Sequence, residues 1–188
     1  STGKNTLLYR EGLGSRFAIG AILLNEPLPP VSKTRYVDMP CGACDLCARA
    51  CPLGAIGEKF DRTKCMRQYM LCPEQASEEI LTAFKDRILG CDICQKVCPL
   101  NRQEEQPMPE EIRQILGYSN FVKNLKEVNL SGFAKYFGKN YARKNSLLAM
   151  LLIAAANAGD RNFLNLARQC ARSESSRVRA AAAYALKK

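Results

Sequence analysis

Residues 41–52 read CGACDLCARACP, and their four cysteines decide the fold of the region around them. Two, two and three residues separate successive cysteines, and a proline follows the last one. In the bacterial pattern with this spacing, the first three cysteines bind one 4Fe–4S cluster and the fourth binds another. The stretch therefore predicts a second group of cysteines in the same chain.

The second group lies at residues 91–99, which read CDICQKVCP. A cubane needs four thiolates, and closely spaced cysteines let one loop hold three corners while the fourth ligand comes from elsewhere. By this rule the first cluster takes four ligands from the two groups: Cys41, Cys44, Cys47 and Cys98. Three ligands of the second cluster follow in the same way: Cys51, Cys91 and Cys94.

The fourth ligand of the second cluster is left open between two cysteines. Cys65 lies in a short helix predicted over residues 63–70, whereas Cys72 directly precedes a proline, as ligand cysteines do in both groups. The spacing favours neither. Cys170 falls on the apolar face of a predicted helix, so we expect it to be a small buried residue.

Zinc is the alternative metal, because zinc sites also use closely spaced cysteine pairs. The seven cysteines in the two patterns above fit iron–sulfur clusters much better. The chain has no histidine, which removes imidazole both as a metal ligand and as a general base. No secretory signal is evident at the N-terminus, so the cysteines indicate metal binding in the cytoplasm rather than disulfides.

Charge is distributed unevenly along the 188 residues, whose formal net charge is +10. Residues 1–111 contain 14 Lys and Arg against 15 Asp and Glu, whereas residues 112–188 contain 14 against 3. A polyanionic partner is therefore expected to bind the C-terminal part. Residues 135–144 mix cations with aromatic side chains, but Phe137 and Tyr141 are expected to pack in the core rather than stack on bases.

The predicted fold class is mostly α (α+β), in three domains. Residues 1–36 contain two apolar runs, Thr6–Arg10 and Arg16–Asn25, which predict a strand pair at the edge of a larger sheet outside the chain. Residues 37–108 are expected to form a ferredoxin-like double 4Fe–4S domain, and residues 109–188 a basic helical domain. No run approaches the ~18 apolar residues of a membrane span.

The C-terminal helices are predicted at residues 146–158, 162–172 and 177–188. The segment Arg143–Ala149 resembles Arg177–Ala183 at an offset of 34 residues. Paired helices at such a period are typical of a HEAT-like solenoid. Two unrelated alanine-rich helices of a bundle are the alternative.

Taken together, these motifs resemble epoxyqueuosine reductase, a cobalamin-dependent enzyme with two 4Fe–4S clusters and C-terminal HEAT-like repeats. The resemblance runs from Gly3-Lys4-Asn5-Thr6 through residues 14–15, 41–56 and 90–101 to the two similar C-terminal helices. It implies that Cys65 is the remaining cluster ligand, since the family's ligand follows an Asp-x-x-x-Cys stretch. It also implies that Asp92, Ile93 and Arg67 face the corrin, although a helix cap is an equal alternative for Asp92.

The family carries a cobalamin-binding domain before the Gly-Lys-x-Thr element, with the Asp that is thought to donate a proton. No Asp occurs between Ser1 and Val37, so no residue of this chain is expected to be catalytic. The chain is expected to be the C-terminal part of a longer protein, inactive alone.

The resemblance further implies an electron relay to cobalamin that reduces epoxyqueuosine to queuosine in a tRNA anticodon. It implies a cytoplasmic monomer without a membrane, supplied by an external electron donor such as flavodoxin or ferredoxin. The alternatives are a stand-alone ferredoxin-type electron-transfer module and a corrinoid-linked reductase of a small molecule. Neither alternative needs the basic C-terminal part.

Overall fold

The computed structural model describes residues 1–28, 41–101, 107, 109–112 and 130–188. These residues are mostly helical and contain no β-strand, which confirms the mostly α class. They form two compact units, the first of Ser1–Arg62 and Asp92–Glu104, the second of Thr63–Cys91 and Glu105–Lys188. The division into three domains stays a prediction. No helix within the described ranges is both long and apolar enough to cross a membrane.

The strand pair predicted in the first unit is not confirmed. Residues 1–15 form turns joined by isolated antiparallel bridges, Thr2 with Leu8 and Arg10 with Gly14. The second apolar run has no regular structure, and Leu23 is 98% exposed. Two strands alone are marginal in water because they have no third element to cover their apolar face.

Two short helices of the first unit, α1 (Leu46–Ala50) and α4 (Ile93–Lys96), pack against each other and form a local repeat. Asp45 and Asp92 precede them with nearly identical backbone angles, φ −128°, ψ 13° and φ −126°, ψ 15°. Each carboxylate pairs with a cation one turn later, Arg49 at 2.9 Å and Lys96 at 3.2 Å. The two cysteine groups are therefore built on the same local design.

Hydrogen bonds of Ser15 with Asn101 and Gln95, called the buried hook below, connect the N-terminal loop to the end of the second cysteine group. The side-chain oxygen of Asn101 accepts from the Ser15 backbone N–H at 2.7 Å, and its amide donates to the Ser15 hydroxyl at 3.0 Å. Gln95 donates to the Ser15 carbonyl at 3.0 Å. Asn101 is only 4% exposed, so these bonds satisfy a polar group that burial would otherwise penalise.

The second unit contains the remaining α-helices described with their bounds: α2 (Met66–Tyr69), α3 (Glu78–Ala83), α5 (Leu130–Phe137), α6 (Lys144–Ala158), α7 (Leu164–Cys170) and α8 (Ser176–Lys187). The three predicted C-terminal helices are confirmed within a few residues. The helix predicted over residues 63–70 is shorter than expected: α2 begins at Met66, and Cys65 lies outside it between α2 and the 3-10 turn Arg62–Lys64. Helix α6 is buried along most of its length, because α8 packs along it and the helical turn Arg161–Phe163 and α3 also contact it. It ends at Gly159, whose φ of 69° favours glycine.

Side-chain hydrogen bonds fasten α3 to the C-terminal helices of this unit. Asn157 donates to the backbone carbonyls of Leu81 at 2.9 Å and Lys85 at 3.0 Å. Beside it, Phe133, Leu147 and Leu151 form a buried apolar cluster. The helices are present as predicted, whereas their HEAT-like repetition stays a prediction.

Candidate iron–sulfur centre

The first unit holds all four cysteines predicted for the first cluster. Cys41 and Cys44 flank a tight turn, in which the Cys44 N–H donates to the Cys41 carbonyl at 2.8 Å. Cys47 is buried on α1, and Cys98 follows α4. Burial raises the pKa of the Cys47 thiol, and the neighbouring charges of Cys41 and Cys98 raise it further. The structure thus brings cysteines of both groups close enough to interact.

The cysteines predicted for the second cluster are divided between the two units. Cys51 ends α1, and its sulfur accepts a hydrogen bond from the Ala55 N–H at 3.3 Å. Cys94 lies within α4 of the same unit. In the second unit, Cys65 is the N-cap residue of α2, and Cys91 directly follows Gly90. Binding of one cluster by these four cysteines stays a prediction.

Zinc and iron–sulfur clusters both bind thiolates, and zinc holds them about 2.3 Å from one metal atom. Among the described residues, no group of three or more Cys, Asp or Glu side chains is placed to hold one metal ion. The preference for cubanes over zinc therefore rests on the spacing of the cysteines in the sequence.

Two further side chains reach the first cysteine set, and neither was expected there from the sequence. The Lys4 ammonium donates to the backbone carbonyls of Gly42 and Cys44, both at 2.9 Å. The Tyr9 hydroxyl lies 3.2 Å from the Cys98 sulfur. Burial and this contact raise the pKa of Tyr9 to about 12, so the phenol keeps its proton. The Gly-Lys-Asn-Thr element is the sequence feature that could have indicated a role for Lys4 here.

The residues that the resemblance places against cobalamin lie in different surroundings. Asp92 occupies the N-cap position of α4 but makes no side-chain cap hydrogen bond, and its carboxylate pairs with Lys96 instead. Ile93, the first residue of α4, is partly exposed. Arg67 lies on α2 in the second unit, with its guanidinium 5.3 Å from the centre of the Tyr141 ring, and donates to the Tyr141 hydroxyl.

The two remaining cysteines lie in ordinary surroundings. The Cys72 sulfur lies 3.4 Å from the Gln68 carbonyl oxygen, within reach of a hydrogen bond. Cys170 is 8% exposed, and burial raises the pKa of its thiol. Its predicted role as a small buried residue is confirmed.

Cations gather around an open depression of the second unit, where α6 and α8 begin. Arg143, Lys144 and Arg177 line it together with serine hydroxyls and Glu174. Arg177 donates to the Ser146 hydroxyl at 2.6 Å, which fixes its guanidinium at the rim. Phe137 and Tyr141 pack against the buried apolar cluster, as predicted, so they are core residues here.

Residues 40–101 match the family of 4Fe-4S double cluster binding domains. The epoxyqueuosine reductase of Bacillus cereus is 30% identical over 168 residues, which are 84% of this chain and 43% of that protein. The Escherichia coli enzyme of the same name is 37% identical over 117 residues, 58% of this chain and 29% of that protein. The chain therefore spans less than half the length of these curated relatives.

The fold is similar to solved structures of the same name. The structure of epoxyqueuosine reductase from Streptococcus thermophilus covers 99% of this chain, with a TM-score of 0.72 and 27% identity, and this chain covers 50% of it. A crystal structure of epoxyqueuosine reductase with an epoxyqueuosine-modified tRNA stem loop covers 97%, with a TM-score of 0.66 and 23% identity, a likeness of fold alone. The resemblance is thus confirmed: the chain has a 4Fe–4S double-cluster region and is similar to about half of an epoxyqueuosine reductase.

Proposed function

We propose that this chain is the electron-relay part of a tRNA-modifying oxidoreductase that reduces epoxyqueuosine to queuosine. The observation that carries the proposal is the pair of cysteine groups, built on one local design, within a chain that is similar to epoxyqueuosine reductases along most of its length. When bound, two 4Fe–4S clusters supply single-electron transfer and cobalamin supplies the reductive chemistry at the substrate.

The proposed ligands of the first cluster are Cys41, Cys44, Cys47 and Cys98. The proposed ligands of the second cluster are Cys51, Cys65, Cys91 and Cys94. The stretch Asp61-Arg-Thr-Lys-Cys65, which matches the family's Asp-x-x-x-Cys pattern, favours Cys65 over Cys72. Because each cluster would take ligands from both cysteine groups, each would link separate segments of the chain.

Cobalamin contacts from this chain are proposed to be few. Asp92, Ile93 and Arg67 are its candidates, and the remaining contacts and the proton donor are proposed to come from a cobalamin-binding domain outside residues 1–188. The alignment with only about half of each relative supports this arrangement. We propose that an external donor such as flavodoxin or ferredoxin supplies the electrons, and that the assembly works as a cytoplasmic monomer.

The basic helical region is the proposed site for the tRNA anticodon stem loop. Its cation-lined depression offers charges to phosphates, and the solved stem-loop complex named above shares the fold. HEAT-like pairing of the helices in residues 109–188 would present such a surface along one side. The division into residues 1–36, 37–108 and 109–188 belongs to the same proposal.

Reconstitution with iron and sulfide without oxygen, followed by a binding assay, tests the proposal. We expect about eight irons per chain, as two cubanes require, and binding of an anticodon stem loop that weakens steeply with salt. A DNA hairpin of equal length is the matched control for non-specific charge attraction. Four irons or bound zinc would contradict the cluster proposal, and binding without salt dependence would contradict the tRNA site.

A further inference from the structure

The first nine residues form a tight loop that holds the Tyr9 ring in one place. The Tyr9 N–H donates to the Ser1 carbonyl at 2.8 Å, and the Gly3 N–H donates to the Leu7 carbonyl at 2.9 Å. A Cβ added at Gly3 would lie 2.4 Å from the Tyr9 ring. The ring therefore lies directly on the glycine backbone, and the loop closes only when residue 3 has no side chain.

Three side chains hydrogen-bond the Tyr9 hydroxyl: Asn5, Ser15 and Cys98. The Asn5 side-chain oxygen accepts from the Leu7 N–H at 3.2 Å, so the Asn5 amide group points the other way and donates to the Tyr9 hydroxyl at 3.0 Å. Asn5 is 4% exposed, which keeps water from competing for these bonds. Because Tyr9 accepts a hydrogen bond from Asn5, its own O–H is available to donate to the Cys98 sulfur, 3.2 Å away.

The same loop reaches the other end of the ligand set through Lys4. Its ammonium donates to the carbonyls of Gly42 and Cys44 and so places a positive charge on the turn between two candidate ligands. One loop of nine residues thus supplies a hydrogen-bond donor to one ligand and a cation beside another. Both features stabilise negative charge at the same place.

We propose that Tyr9, supported by Lys4, is a positioning residue that raises the reduction potential of the first cluster through an O–H···S hydrogen bond to Cys98. This inference rests on the proposed assignment of Cys98 to that cluster. Reduction adds one electron, taken from the external donor, and the added charge spreads onto the ligand sulfurs. A donor hydrogen bond and a nearby cation favour the reduced form.

The decisive variant is Tyr9→Phe, which removes the hydroxyl and keeps the ring that packs on Gly3. After anaerobic reconstitution, we expect an unchanged iron content and a shift of one cluster's midpoint potential to a more negative value, with the other unchanged. Redox titration followed by electron paramagnetic resonance measures both. Tyr136→Phe is the matched control, because it removes an exposed phenol whose partner is Glu111.

Further variants and outcomes decide the inference. Cys98→Ser identifies the first cluster's signal, and a Tyr9→Phe shift in the other signal would overturn the proposal. Unchanged potentials with both clusters present, or loss of a cluster in Tyr9→Phe, would overturn it as well. Lys4→Met should shift the same signal in the same direction, while Lys59→Met, at an exposed position, should not. Absence of two clusters in the unaltered chain would instead refute the proposed ligand assignment.

Discussion

The Cys72 sulfur lies 3.4 Å from the backbone carbonyl oxygen of Gln68, in the segment that follows Cys65. Cys72 is expected to be dispensable for metal binding, because the family resemblance assigns the ligand role to Cys65. Cys72→Ser keeps a donor at this position and should retain both clusters. Cys65→Ser should lose one cluster, and iron analysis with cluster-by-cluster paramagnetic resonance measures the difference.

The two variants are matched controls for each other, because each replaces one sulfur by oxygen within a short stretch of the second unit. Retention of both clusters in Cys65→Ser together with loss of one in Cys72→Ser would reverse the ligand assignment. Loss in both variants would show that the segment as a whole, rather than one sulfur, supports the second cluster.

Gly14→Ala should strongly destabilise the first unit. A Cβ at Gly14 would lie 2.5 Å from the Leu100 carbonyl oxygen and 2.1 Å from the Asn101 side-chain oxygen, and φ is +62°. The clash breaks the buried hook, for which we expect a cost of at least about 3 kcal/mol. Gly12→Ala is the control, because its φ is +75° but its Cβ meets nothing within 4 Å.

Gly12→Ala should lower the free energy of unfolding by only about 1–2 kcal/mol, because a residue with a side chain is strained in the left-handed backbone conformation. The thermal midpoint for loss of cluster absorbance compares the two reconstituted variants. Equal midpoints would mean that the hook between Ser15 and Asn101 contributes little to the stability of the first unit.

Local features of this fold could be predicted from the sequence because short-range spacing determines them. The cysteine groups indicated iron–sulfur chemistry, and apolar periodicity located α6, α7 and α8 within a few residues of their observed bounds. Aligning residues 44–52 with 91–99 also shows that Asp45 and Asp92 occupy equivalent positions. That alignment predicts the two matching ion pairs, Asp45 with Arg49 and Asp92 with Lys96.

Contacts between distant segments could not be predicted in this way. Tyr9 and Cys98 are 89 positions apart, and Arg67 and Tyr141 are 74 apart, and no spacing rule relates them. The strand pair, expected because the apolar runs on either side of Gly12 and Gly14 resemble a hairpin, is not confirmed. A strand, however, forms only where a partner covers it, and the described residues contain none for this segment.

Tyr184→Phe should destabilise the second unit by about 0.5–1.5 kcal/mol, the net contribution of a hydrogen bond, here made by a buried tyrosine. The Tyr184 hydroxyl donates to the Asn157 side chain at 2.6 Å and lies 3.0 Å from the Thr82 hydroxyl. Both partners belong to the connection between α3 and the C-terminal helices. Circular dichroism should show a lower thermal midpoint, by about 2–4 °C for each kcal/mol in a chain of this size.

Tyr136→Phe serves as the control for this change as well, because Tyr136 is 37% exposed and water can replace its lost bond. Its midpoint should stay within about 1 °C of the unaltered protein, as for most surface substitutions. A midpoint for Tyr184→Phe equal to that of Tyr136→Phe would show that the network does not support the packing of α3.

The cation-lined depression should contribute measurably to tRNA binding through Arg143 and Lys144. Both side chains are exposed, so replacing them by alanine removes charge without opening the core. Each phosphate that the protein no longer neutralises should reduce the slope of log affinity against log salt by roughly 0.7–0.9. Arg143→Ala/Lys144→Ala should therefore bind an anticodon stem loop more weakly at low salt and respond less to added salt, as fluorescence anisotropy can measure.

The matched control for the reduced net charge is Arg168→Ala/Arg172→Ala, which removes two exposed cations outside the depression. Because the two double variants have the same formal charge, equally weakened binding in both would mean that general attraction to the basic region, rather than this depression, holds the RNA.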